Sequence, residues 1–183
     1  MNETFQSIYR RYSCRAFTDE MPSDEDLMAI AQAALAAPSA MNRQPWRVIV
    51  VKDRALIADM QAEGTRALQA EADQTTWERI KSRGGKLFYD APCMITVPVV
   101  NAAHTDCGIL TQTIAVAAAS LGIESLICGL AGAAFNGGKA EEFKRRLGFP
   151  EGFEHGMTVL LGYAANPGGQ QHALDFSKIS VIE

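Results

Sequence analysis

The sequence predicts an α+β sandwich, and three observations point to it. Stretches with a 3.6-residue apolar period are interleaved with four compact runs rich in β-branched residues. Their order is too irregular for a regular doubly wound sheet. With 183 residues, 48% of them hydrophobic, the chain can fill one substantial core and is short for two, so residues 1–183 are expected to form one domain.

The elements follow in chain order. Residues 2–11 place Phe5, Ile8 and Tyr9 at helical spacing before the polar run RYSCR. Ser23 is suited to cap a second helix, with Asp24, Glu25 and Asp26 in its electropositive first turn. Leu27, Ile30, Ala31, Ala34 and Leu35 give that helix one apolar face, which ends before Pro38. Residues 46–51, WRVIVV, read as a buried strand. From 54 to 83 the pattern is more polar but helical, through Leu56, Ile57, Met60, Leu68, Trp77 and Ile80. Ala91-Pro92 then breaks into a strand over 93–100. Residues 106–121 are apolar on nearly every face and rich in alanine, which predicts a central helix buried on several sides, with Gly122 at its stop. A third strand is expected over 123–130, leading to a glycine-containing turn, then a surface helix over 140–147 and a fourth strand over 157–163. The NPGGQ stretch, 166–170, reads as a flexible linker. The tail beyond it, with Leu174, Phe176, Ile179, Val181 and Ile182, needs cover, which a partner subunit could supply.

A net charge of −4 and a pI near 5.4 offer no long-range attraction for nucleic acid or an anionic membrane surface. No apolar run reaches the roughly 18 residues of a membrane span and no leader-like segment opens the chain, so a cytoplasmic location is expected. The four cysteines, Cys14, Cys93, Cys107 and Cys128, lack CxxC spacing, and His104, His155 and His172 fit no metal pattern. The GGK before Ala140 has no Ser or Thr where a P-loop needs one; there is no GxGxxG after a strand and no GxSxG elbow.

Two segments carry chemistry. Arg11, Ser13 and Arg15 lie within five residues and share one side of an extended chain, so two guanidiniums and a hydroxyl can converge on a phosphate. The same trio also suits a solvated basic surface. APSAMNRQPW, 37–46, crowds Pro38, Ser39, Asn42, Gln44 and Pro45 against Trp46, offering neutral donors and acceptors to a flat polar ligand. A plain loop closed by its own amides would use the same residue types. Lys86 can reach an anionic ligand or simply face solvent, and Gly129, at the end of an apolar strand, permits close backbone approach.

RYSCRAF, APSAMNRQPW, FYDAP and TDCGILTQTIAVAAASLGIESL, in this order, resemble the landmarks of the small members of the nitroreductase family over nearly the whole chain. The resemblance implies a mostly antiparallel sheet flanked by helices, an obligate homodimer, and FMN held at the dimer interface. Arg11, Tyr12, Ser13 and Arg15 would grip its phosphate and pyrimidine side. Pro38, Ser39, Ala40, Asn42 and Gln44 would border it from the other subunit, and backbone around Ile127, Cys128 and Gly129 would lie near flavin N5. Lys86 and His172 complete the candidate cofactor contacts, and no side chain is assigned as a general acid. Two departures stand out: the basic pair common near the family's C-terminus is reduced to His172 and Lys178, and the usual Trp and Gly-Gly give way to Ile127, Cys128, Gly129 and Leu130. The implied activity is transfer of hydride from NADH or NADPH to flavin, then reduction of a small electron-poor acceptor such as a nitroaromatic or quinone in ping-pong fashion. Dehalogenation, enoate reduction, flavin breakdown and flavin binding without turnover are the alternatives.

Overall fold

In the computed structural model, which describes all 183 residues, β1 (Ile49–Val51), β2 (Cys93–Val99), β3 (Glu124–Cys128) and β4 (Glu154–Gly162) form one sheet in the order β1-β2-β4-β3. Every pairing is antiparallel. The central strand β2, CMITVPV, is buried at every position, as expected of an apolar run covered on both faces.

Alternation along the strands sends side chains into two cores. Cys93, Ile95, Val97, Val159 and Leu161 pack under α2 (Asp24–Ala34) and α5 (His104–Ser120). Met94, Leu126, Cys128 and Leu160 pack on the other side, with residues from α3 (Arg54–Ala70), the 3-10 stretch Gly129–Phe135 and α6 (Ala140–Leu147). Helix α1 (Glu3–Arg10) lies on α5, and α4 (Thr75–Lys81) follows α3. Ile95 is wholly buried, so truncating it to alanine should cost about 2–5 kcal/mol.

Helix ends follow local chemistry. Ser23 Oγ accepts the Asp26 N–H at 3.0 Å, and Asp53 Oδ1 accepts the amides of Ala55 and Leu56, both at 3.0 Å. The helical region expected over 54–83 divides at Glu71, and Asp73 Oδ1 accepts the Thr75 N–H at 2.9 Å to start α4. β3 ends at Cys128 rather than at 130, because the glycine-containing segment winds into the 3-10 stretch instead of a turn.

β4 begins at Glu154, three residues before the expected start, because a bulge lengthens its pairing with β2. Val97 pairs with Met157 and Pro98 with His155, leaving Gly156 extra. A Cβ at Gly156 would lie 2.8 Å from the Val97 carbonyl oxygen, so glycine is required there. No helix is long and apolar enough to cross a membrane.

Candidate functional site

The segment 11–15 is extended, as the alternation of its side chains predicts. Ser13 bridges Ser125 in parallel, and the Cys14 N–H donates to the Ser125 carbonyl at 3.0 Å. Cys14 points into the core while Arg15 is exposed. This pairing lies on the outer edge of β3, the last strand of the sheet. Because backbone groups alternate between the two sides of a strand, Ile127, two residues beyond Ser125, also turns its N–H and C=O toward that edge. Arg15 lies close enough to Cys128 for its charge to act on that thiol. The structure therefore gathers Arg11, Tyr12, Ser13 and Arg15 with Ile127 and its neighbours Cys128 and Gly129.

The cations of this segment are available to a ligand. Neither Arg11 nor Arg15 forms an ion pair, and the one intramolecular bond of the Arg15 side chain goes to its neighbour's carbonyl, Ser13, at 3.3 Å. Burial, then the adjacent Cys14 and Glu124, push the Tyr12 phenol up to about 12, so it stays a proton donor at neutral pH. All four cysteines are buried thiols with raised pKa values; Cys128 is pushed up to about 11 by burial, which leaves it no thiolate chemistry near neutrality.

The loop 38–44 is shaped differently. Met41, Asn42 and Gln44 hold left-handed backbone at φ 52°, 53° and 47°, a conformation costing on the order of 1–3 kcal/mol for a residue that avoids it. Local bonds hold it there. The Gln44 N–H donates to Ser39 Oγ at 2.9 Å, and Gln44 Nε2 donates to Asn42 Oδ1 at 3.0 Å. Asp106, in the first turn of α5, accepts the Ala40 N–H at 3.0 Å. Pro38, Ala40, Asn42 and Gln44 remain exposed, with Asn42 Nδ2 and Gln44 Oε1 unpaired.

Within one chain the two segments do not meet. The loop leads into β1, on the opposite edge of the sheet from β3, three strand spacings or about 14 Å away. Asp106 sits at the start of α5 while the far end of that helix feeds β3, and 17 residues of helix span about 25 Å. Lys86 is engaged elsewhere, its Nζ donating to both oxygens of Asp90 at 2.8 and 2.6 Å. His172 is exposed on the tail. That tail leaves the body where Phe17 bridges Ala164, and Gly169 runs against the Tyr12 ring so closely that a Cβ there would lie 2.1 Å from it. Beyond it Phe176, Ile179, Val181 and Ile182 are exposed.

A cavity of about 330 Å³ opens beside the end of β3, lined among others by Gly129, Leu130, Gly132, Phe135 and His155. Its His155 was not apparent from sequence, and neither was the role of Asp106, although TDCG is one of the landmark stretches quoted above. No three His, Cys, Asp or Glu side chains are placed to hold a metal ion.

The model of the nitroreductase family matches residues 8–163. The chain belongs to that family. A nitroreductase with bound FMN from Desulfitobacterium hafniense superposes with a TM-score of 0.96 at 55% identity, over 100% of both chains. An Archaeoglobus fulgidus protein carrying the provisional name NADH dehydrogenase/NAD(P)H nitroreductase is 32% identical over 163 residues, 89% of this chain and 86% of its own. An iodotyrosine deiodinase from Thermotoga neapolitana is 34% identical over 83 residues, 45% of this chain and 42% of its own. The expected nitroreductase fold, an antiparallel sheet flanked by helices, is the one observed for this family member.

Proposed function

We propose that this nitroreductase-family chain is an FMN-dependent oxidoreductase that takes electrons from NADH or NADPH and passes them to a small electron-poor acceptor, such as a nitroaromatic or a quinone, by a ping-pong mechanism. The observation that carries the reading is the open edge of β3: two arginines without carboxylate partners lie beside a strand whose backbone at Ile127 is unpaired. This donor set fits FMN. Guanidiniums at Arg11 and Arg15, with the Ser13 hydroxyl, suit a phosphate and an anionic ring edge. Free strand-edge amides suit the heteroatoms of a planar ring system. The FMN-bound relative and the NAD(P)H in the name of the archaeal relative support the same cofactors.

Bound FMN would supply a two-electron carrier that accepts hydride at N5. The protein binds, orients and excludes water. Tyr12 keeps its phenolic proton for a hydrogen bond, and Arg15 favours negative charge on the ring edge beside it. The loop 38–44 leads into β1, at the opposite edge of the sheet from its own chain's β3, so its residues serve the site of a second copy, giving a homodimer with two equivalent sites. The exposed apolar tail fits the same assembly, docking on the partner. Lys86 and His172 contribute at most from the periphery.

Anaerobic titration with NADH and NADPH tests this: the flavin absorbance should bleach with at least one donor and return on adding 1,4-benzoquinone. A protein that binds FMN but is bleached by neither overturns the hydride-donor claim. The partial match to an iodotyrosine deiodinase favours dehalogenation as the second reading. Iodide release from 3-iodotyrosine, exceeding quinone turnover, would select it.

A further inference from the structure

His155 is a half-buried titratable group that the cofactor site leaves unexplained. In a regular strand, residues 155 and 158 point to opposite faces. The bulge at Gly156 adds one residue and turns His155 to the face of Thr158, so that His155 Nε2 and Thr158 Oγ1 lie 3.0 Å apart. Thr158 Oγ1 in turn lies 3.2 Å from Thr96 Oγ1, and both threonines are wholly buried.

This arrangement sets the tautomer. The Thr96 side-chain oxygen has no partner except Thr158, so its proton goes there, and the Thr158 proton goes on to His155 Nε2. Nε2 is therefore the acceptor and Nδ1 carries the hydrogen. Nδ1 has no partner in the chain, yet no buried polar side-chain atom is left without one, so this nitrogen is open to the cavity that His155 lines. The ring is stacked on Phe135 with centroids 4.7 Å apart, which fixes its plane. The open edge faces Gly132, whose missing Cβ would sit 3.5 Å from Nδ1. Burial drives the imidazole pKa down to about 4, so the ring is neutral at working pH.

We infer that His155 is a specificity-determining residue: its Nδ1–H hydrogen-bonds the carbonyl or nitro oxygen of a neutral electron acceptor bound in the cavity beside Gly129 and Leu130. The inference rests on the reading of FMN at Ile127–Gly129. As hydride reaches the acceptor, negative charge grows on that oxygen; the neutral imidazole stabilises the charge by hydrogen bonding and keeps its own proton, and water supplies the proton that completes the product. Glu71 lines the same cavity, as does Glu154, whose charge is met by Lys144 Nζ at 2.7 Å; the charge of Glu71 disfavours acceptors bearing a carboxylate.

The test compares the two half-reactions in the FMN-loaded protein. His155→Phe keeps a ring against Phe135 and removes the nitrogen; Gly132→Ala covers Nδ1 at an ordinary contact distance; His155→Gln restores a donor. Flavin content and the rate of flavin reduction by NADH should stay within about twofold of the parent. The kcat/KM for 1,4-benzoquinone should fall about tenfold in His155→Phe and in Gly132→Ala, and recover in part in His155→Gln. Unchanged quinone kinetics in His155→Phe, or an equal loss of both half-reactions in Gly132→Ala, overturns the assignment. A parent protein that takes up no FMN or is not reduced by NADH removes the underlying reading instead, and the assignment with it.

Discussion

Segment 11–15 is pinned by the body of its own chain, through the Ser13 bridge to β3, the buried Cys14 and the Tyr12 ring against Gly169. Loop 38–44 keeps its shape mainly by bonds to itself, with one anchor at Asp106, and turns its free amide atoms to solvent. Both are polar, and both are read as contacts to one flavin. On the proposed reading, the difference teaches that half of the site is preformed in the monomer, whereas the other half is preformed in shape but would be delivered to a second copy.

The strongest way to break this comparison is to remove residues 170–183. If the apolar tail secures the partner, the truncated chain should sediment as monomer and lose its flavin on gel filtration, although the preformed half is intact. A flavin-loaded dimer after truncation would show that the loop is delivered without the tail. The next effect concerns the cavity beside β3, which the comparison leaves aside. Burial holds the His155 imidazole near 4, against 6.5 when free, so between those values the unfolded chain binds a proton that the folded chain refuses. Stability should therefore fall as the pH drops through this window, by up to about 3 kcal/mol, and be independent of this group above about pH 7. Urea unfolding at pH 7 and pH 4.5 measures it, and His155→Phe should flatten that slope.

Two substitutions then weigh one half against the other. Arg15→Ala should weaken FMN binding by about 1.5–3 kcal/mol through loss of a charge-assisted bond. Isothermal titration of the apoprotein reads the change, and an unaltered dissociation constant would remove Arg15 from the site. Ser39→Ala removes the acceptor of the Gln44 N–H and should cost about 1 kcal/mol of the same affinity. A larger loss from Ser39→Ala than from Arg15→Ala would invert the comparison, making the delivered loop the dominant holder.

What was legible in the sequence was local. The alternation in RYSCRAF put Arg11, Ser13 and Arg15 on one side of an extended chain, and the composition of 38–44 suited either a binding loop or a plain loop closed by its own amides. Helix α5 was legible because its apolar residues cover most of its faces. The cavity was not, because it depends on pairings distant in sequence. Nothing around Gly156 announces that Val97 lies too close for a side chain there, and the Thr96–Thr158 contact joins residues 62 positions apart. A single inserted residue reverses which side chains share a face, so the strand pattern taken alone sends His155 to the wrong layer. The Asp106 anchor was hidden for the same reason, since its partner Ala40 is 66 residues away.

The distribution of sulfur has a practical consequence. Cys14 and Cys128 belong to the core on one side of the sheet, Cys93 and Cys107 to the core on the other. All four are shielded from solvent and reluctant to ionise. An alkylating reagent such as iodoacetamide should thus leave the native molecule untouched and mark each layer only when that layer opens, so peptide mapping of the labelled positions would time the loosening of the two sides independently.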